Sequence, residues 1–218
     1  MSSSIPAHPS PGSARLLIET DVGTAMKRHG KPTGSAPSLR KRPRSPGLRE
    51  WPLYAGSLLW LLSIQFFMVE ATVAASWRNP SYSWSDNAIS DLGATSCGTF
   101  DGRYMCSPLS WLMNGSLIAQ GLCMSIGAVL LYRSFHRSRA GYSMMAVAGV
   151  GAVLVGAFPL NTVFWLHIVG QDMAFLIGNV AVIVVGLSQG PPQWLRWYSV
   201  ASGSVSLGAL ILFLTHHR

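Results

Sequence analysis

The sequence predicts an all-α fold, an integral membrane helical bundle of five transmembrane helices (six is the alternative) behind a disordered basic N-terminal tail. Three observations carry this. Of 218 residues, 49% are hydrophobic and only 11% charged, with a mean hydropathy of +0.32, whereas soluble domains run near a quarter charged. Apolar stretches close to the roughly 20 residues that cross a bilayer core as a helix recur five times after Trp51. The charge is also lopsided: residues 1–50 hold nine of the sixteen Lys and Arg against three acids, so +6 of the net +8 lies there. Two regions follow, a tail over 1–50 and a transmembrane bundle over 51–218.

The tail is rich in Ser, Pro, Gly, Arg and Lys and has no sustained apolar period. Such a segment cannot bury enough surface to offset its ordering entropy. It lacks the apolar core and small-residue cleavage site of a signal peptide. Arg40-Lys-Arg-Pro-Arg44 lies just before the first apolar stretch, where a basic cluster orients a span and is drawn to anionic lipid. Membrane lipids are therefore the expected partners, and no nucleic acid is expected. Met26 is an alternative start that would remove half the tail.

The five stretches are expected at 53–76, 109–132, 143–165, 167–187 and 198–215. Backbone groups in hydrocarbon must be satisfied within the segment, which makes each a helix. Turn-like or charged breaks separate them: Arg78-Asn-Pro80, the basic run from Arg133 to Arg139, Pro159-Leu-Asn161, and Gly190-Pro-Pro192. Trp194 and Trp197 around Arg196 mark an interface. With the N-terminus cytoplasmic, thirteen basic residues fall inside and three (Arg78, Arg103, Arg218) outside, so the positive-inside rule places the N-terminus in the cytoplasm. Ala148, Ala152 and Gly156, and likewise Ser204 and Gly208, form small-residue lines that permit close helix approach. They serve packing within the bundle or a homo-oligomer.

The polar segment between the first two spans, Tyr82-Ser-Trp-Ser-Asp-Asn-Ala-Ile-Ser-Asp-Leu-Gly93, then falls outside. Asn87, Ser90 and Asp91 are spaced to share one face of a short helix, which Gly93 would cap. Cys97 and Cys106 follow in the same loop, where an oxidising compartment favours a bridge. Cys123 lies in an apolar run and reads as a small buried hydrophobe.

Two acids lie within spans, where a carboxylate costs roughly 2.5–3.5 kcal/mol on insertion scales and turns toward the bundle interior. Glu70 and Asp172 both fall about 8–9 Å below the outer boundary. His167 opens the fourth span on that side, about 140° around the helix from Asp172. The candidate ligand-binding set is Glu70, Asn87, Ser90, Asp91, His167 and Asp172, with Asn114 weaker. Together they would form an outward pocket between the first and fourth spans, lidded by 87–93. A divalent metal is conceivable on these oxygens and His167, but no paired spacing supports one. The sequence has no His-Glu-x-x-His, no Gly-x-Ser-x-Gly and no Gly-rich phosphate loop.

The pattern Tyr82-Ser-x-x-x-Asn-x-Ile-Ser-Asp-Leu-Gly93, then Ser107-Pro108 and Met113-Asn114, then Phe158-Pro159 with His167 soon after, resembles the bacterial membrane family catalogued as domain of unknown function 998. The resemblance implies a multi-span helical protein of a bacterial inner membrane. It implies no activity and no cofactor. Members commonly show a sixth span and an acid after Phe-Pro, whereas Asn161 stands near that position here.

The expected function is a multi-pass membrane protein that binds a lipid headgroup or small polar ligand in the outward pocket. The alternatives are an intramembrane hydrolase or transferase acting on lipid at the outer leaflet, with His167 as base and Asp91, Glu70 or Asp172 as acid or metal ligands, and a cation- or proton-coupled transporter using Glu70 and Asp172. The absence of an enzyme motif weighs toward the first.

Overall fold

The computed structural model describes residues 50–78, 80–100, 102–188 and 192–216. The disorder expected of the tail concerns residues outside that set. Within it the chain is a bundle of five long helices. Four of them, Trp51–Ser76, Ser110–Ser134, His136–Ala157 and Phe164–Leu187, are long and apolar enough to cross a membrane. The fifth, α7 (Gln193–His216), is 24 residues long. Large apolar side chains such as Leu61, Phe67, Met68, Ile126 and Leu212 stand exposed around the bundle, as lipid-facing positions must.

The first span is two helices, α1 (Trp51–Leu62) and α2 (Gln65–Ser76), where the sequence reading expected one. At the break, Ser63 and Ile64 bond back three residues, to Trp60 and Leu61, and the Ser63 hydroxyl donates to the Leu59 carbonyl at 3.5 Å. A Ser bonding back along its own helix is a common source of such a bend. Just past it, Gln65 and Ser116 of α3 (Ser110–Ser134) bond reciprocally. The Gln amide donates to the Ser116 carbonyl at 3.1 Å, and the Ser116 hydroxyl donates to Gln65 Oε1 at 2.9 Å.

Consecutive spans pack in order: the first on α3, α3 on α4 (Arg139–Ala157), α4 on the fourth span, and the fourth span on α7. The third span is narrow. Ala148, Ala152 and Gly156 are all buried, and a side chain added at Gly156 would meet the Asn114 carbonyl of α3 at 2.6 Å. This small-residue line is used between helices of one chain. Ser204, by contrast, is exposed, and nothing lies within 4 Å of a Cβ placed at Gly208.

The third span ends at Ala157, short of the expected 165, and the fourth begins at Phe164 rather than 167. Proline cannot donate to the helix ladder and pushes its predecessor out of the helical region. Phe158 accordingly sits at φ −123°, ψ 80°, and 158–163 form a polar elbow. The fourth span runs as α5 (Phe164–Asp172), a π-helical turn (Met173–Ile177) and α6 (Gly178–Leu187). Between the first span and α3 the chain forms a 3-10 helix, Ile89–Gly93, and a two-stranded hairpin, β1 (Gly98–Phe100) and β2 (Arg103–Met105). Gly102 turns the hairpin at φ +74°, a conformation that glycine adopts without steric cost. This end of the bundle is termed the cap end.

Candidate functional site at the cap end

The cap is built around Asp91, whose side chain is fully buried. Buried charge must be paired and hydrogen-bonded, and Asp91 meets that demand four times over. It accepts from the Ala88 backbone N–H at 3.0 Å, from Asn87 Nδ2 at 3.4 Å, and from Arg103 Nε and NH2 at 3.3 Å each. The Ala88 bond closes the start of the 3-10 helix. Asn87 in turn accepts from the Ser83 backbone N–H at 3.0 Å, which fixes the preceding turn.

The two residues after Asp91 are clamped as well. The Ser107 hydroxyl donates to the Leu92 carbonyl at 2.6 Å, and Asn114 of α3 donates Nδ2 to the Gly93 carbonyl at 2.9 Å. Leu92 is wholly buried among Val73, Trp77, Met105 and Met113. Gly93 has an unexceptional φ, and its need for glycine is closeness: an added Cβ would stand 2.5 Å from Asn114 Oδ1. The expected helix cap at Gly93 is therefore replaced by a helix-to-loop contact. Cys97 and Cys106 are joined across the hairpin that carries Arg103.

Asn161, in the elbow between α4 and α5, ties the same cap to the far side of the bundle. Its Oδ1 accepts from the Thr95 backbone N–H at 3.1 Å, and its Nδ2 donates to the Ser96 hydroxyl at 2.9 Å. Beside these contacts lies a shallow groove of about 480 Å³, lined by Thr99, Phe100, Leu160, Asn161, Thr162 and Phe164. None of the six candidate residues lines it.

Glu70 belongs to a different environment. With Val73, Ala74 and Trp77 it makes the buried face of α2, at i, i+3, i+4 and i+7. It is only 7% exposed and has no hydrogen-bond partner among the described residues. Two turns along the same face, the Trp77 indole N–H is buried without a partner among the described residues. Tyr82 covers this face, its ring edge-to-face with Trp77 at 5.4 Å and with Trp84 at 5.1 Å. Burial, then the charges of Asp91 and Glu70, push the Tyr82 hydroxyl up to about 12, so both carboxyls lie within electrostatic reach of the phenol. Asp86, at the exposed tip, is held below the usual carboxylate range by the hydroxyls of Ser83 and Ser85.

The remaining candidates are placed as follows. Asn87 and Asp91 meet directly, but Ser90 does not join them. The segment is a 3-10 helix that starts after Asn87, and three residues per turn put Ser90 about 120° from Asp91. His167 is 2% exposed, with Nδ1 at 3.0 Å from the Phe158 carbonyl. That contact assigns the proton to Nδ1 and leaves Nε2 buried without a partner among the described residues. Asp172 is exposed at the end of α5. The helical offset from the inward His167 turns it away, and a span that begins at Phe164 sets it about 12 Å from that end against about 9 Å for Glu70. The fourth span packs on the third, the elbow residue Leu160 joins the apolar core of α2, and His167 bonds to the Phe158 carbonyl rather than to Glu70, Asn87 or Asp91. No cluster of three or more His, Cys, Asp or Glu able to hold a metal occurs among the described residues. A hydrolase reading would need carboxylates around the imidazole, and Asp91 is committed to Arg103.

Sequence reasoning missed Arg103, counted only as an outside charge, and underweighted Asn114 and Trp77. A buried Asp must have a cationic or hydrogen-bonding partner, and Arg103 lies in the loop next to it in sequence. That was the available signal.

A bundle of long apolar helices under a polar, disulfide-closed cap defines a multi-span helical membrane protein. The family model described as "Protein of unknown function (DUF998)" matches residues 61–217, and the chain belongs to that family. No curated protein and no solved structure matches it.

Proposed function

We propose that this protein binds the polar headgroup of a membrane lipid, or a small polar ligand, on the buried face of α2 at the cap end. The observation that carries the reading is Glu70. Glu70 is 7% exposed as a residue, no hydrogen bond joins it to another described residue, and its oxygens are not among the fully buried side-chain atoms without a partner. An acid in a span is costly, and an ordered ligand at its carboxyl would relieve that cost. Trp77 supplies a donor without a partner among the described residues on the same face, and Tyr82 a hydroxyl within electrostatic reach of both carboxyls. In this reading Asn87 and Asp91 are not ligands but the scaffold that seats Tyr82. The positive-inside distribution of Lys and Arg supports a cytoplasmic N-terminus and an outward cap. An oxidising exterior is also where a disulfide persists. The resemblance stated above supports a bacterial cell membrane as the setting.

Native mass spectrometry of the purified chain tests this. The wild type should carry a non-protein mass that Glu70→Gln loses while remaining folded. A bare wild type, or an adduct that Glu70→Gln retains, would overturn the reading.

A further inference from the structure

Resting on that reading, we infer that the group bound at Glu70 is an organic cation, an ammonium carried by a lipid headgroup or by a small amine. The charges at the cap end select the sign. Asp91 and Arg103 balance each other in their two-point contact, so the pair adds no net charge to the cap. Arg78 is exposed beyond the end of α2. What remains on and above that face is acidic: Glu70 beneath, and Asp86 at the tip of the turn.

The surroundings of Glu70 select an organic cation over a metal ion. Calcium and magnesium ask for six or more oxygen ligands, or for waters in their place. Glu70 instead shares its helix face with Val73, Ala74 and Trp77, and no metal-holding cluster occurs among the described residues. Aromatic rings favour an alkylated ammonium, because the ring face attracts a cation that is easily stripped of water. Trp77, Tyr82 and Trp84 form a continuous edge-to-face series from the buried face to the surface, where Trp84 is 65% exposed. The aromatic series thus links the buried face that carries Glu70 to the exposed turn that carries Asp86.

The test titrates the full-length protein in detergent with phosphatidylethanolamine, phosphatidylcholine and phosphatidylglycerol, read by native mass spectrometry and tryptophan fluorescence. Free ethanolamine and choline form parallel arms. The two ammonium lipids, or the free amines, should bind about tenfold or more tightly than phosphatidylglycerol, the scale of one charge-assisted contact. Glu70→Gln should erase that preference, and the surface substitution Trp84→Ala should weaken ammonium binding without loss of fold. Competition by the free amines identifies a small ligand, and its absence with ammonium lipid bound identifies a headgroup; either supports the inference. Equal binding of phosphatidylglycerol would overturn the cation assignment and leave the polar-ligand reading standing. Binding of none of these probes would overturn both.

Discussion

Arg103 grips Asp91 at two points, Nε on one carboxylate oxygen and NH2 on the other, both at 3.3 Å. Asp91 is fully buried while the Arg103 side chain keeps 35% of its surface. The contact joins the disulfide-closed hairpin to the 3-10 helix, and through Leu92 to the apolar core between the first span and α3. The segment that looked like a lid in sequence is thereby a keystone of the cap, and the exposed side of the pair is where it can be opened.

Removing Arg103 should cost more than removing the charge it balances. Arg103→Met strands a buried carboxylate, a loss of about 3–5 kcal/mol by analogy with broken buried pairs. Asp91→Asn keeps an acceptor for the Ala88 N–H and should lose less. Thermal unfolding in detergent would rank the variants, and Asp91→Asn combined with Arg103→Met should recover part of the loss. A double variant no better than Arg103→Met alone would refute the pairing as the source of the cost.

Gly93 and Asn114 should show compensation. Gly93→Ala drives a methyl against Asn114 Oδ1 and should destabilise by about 1–3 kcal/mol through overpacking. Asn114→Ala removes the donor to the Gly93 carbonyl, a loss of about 1–3 kcal/mol for an orphaned buried acceptor. In the Asn114→Ala background the Gly93→Ala penalty should shrink. Strictly additive changes in the double-mutant cycle would rule out this contact.

The Cys97–Cys106 bridge closes a short loop of sequence separation nine, worth about 2–3 kcal/mol on a chain-entropy estimate. Cys97→Ser with Cys106→Ser should lower stability by that order. It should also raise hydrogen exchange in the hairpin more than in α3 or α4. Uniform loosening of all the spans would contradict a local role for the bridge.

The Tyr82 hydroxyl should titrate near 12 rather than at its ordinary 10.0. A raised phenol favours the protonated folded state, so its contribution is complete below pH 10.0 and is lost as pH rises through about 12. Phenolate absorbance, with Tyr82→Phe subtracted, isolates the group. Glu70→Gln and Asp91→Asn should each bring the midpoint down part of the way, because burial is the largest cause. Midpoints unmoved in both variants would place the carboxyls elsewhere.

The spans were legible because their signal is compositional and long. Any run of about 20 apolar residues must be helical in hydrocarbon, and the polar breaks at Arg78-Asn-Pro80 and Pro159-Leu-Asn161 announce themselves. Their ends were less legible. The run from 143 to 165 is apolar throughout its middle, and only the local geometry imposed by Pro159 moves its end to Ala157. The bend at Ser63 depends on a hydroxyl turning back on its own helix, which no hydropathy pattern records.

The candidate site divides along the same line. Composition and periodicity determined a membrane bundle, a polar cap between the first two spans, and the residues worth watching, since an acid inside an apolar run and polar residues at helical spacing both show in one dimension. Which of them meet was decided in three dimensions. Asn87 and Asp91 converge because a 3-10 helix starts between them. Asp172 leaves because its helix turns it outward, and Glu70 stays alone because its face packs on apolar neighbours. Pairing is a property of distance across elements, and a one-dimensional pattern carries no such distances. The motif around Asp91 is legible in the sequence, but its grip on Arg103 depends on the hairpin folding against it.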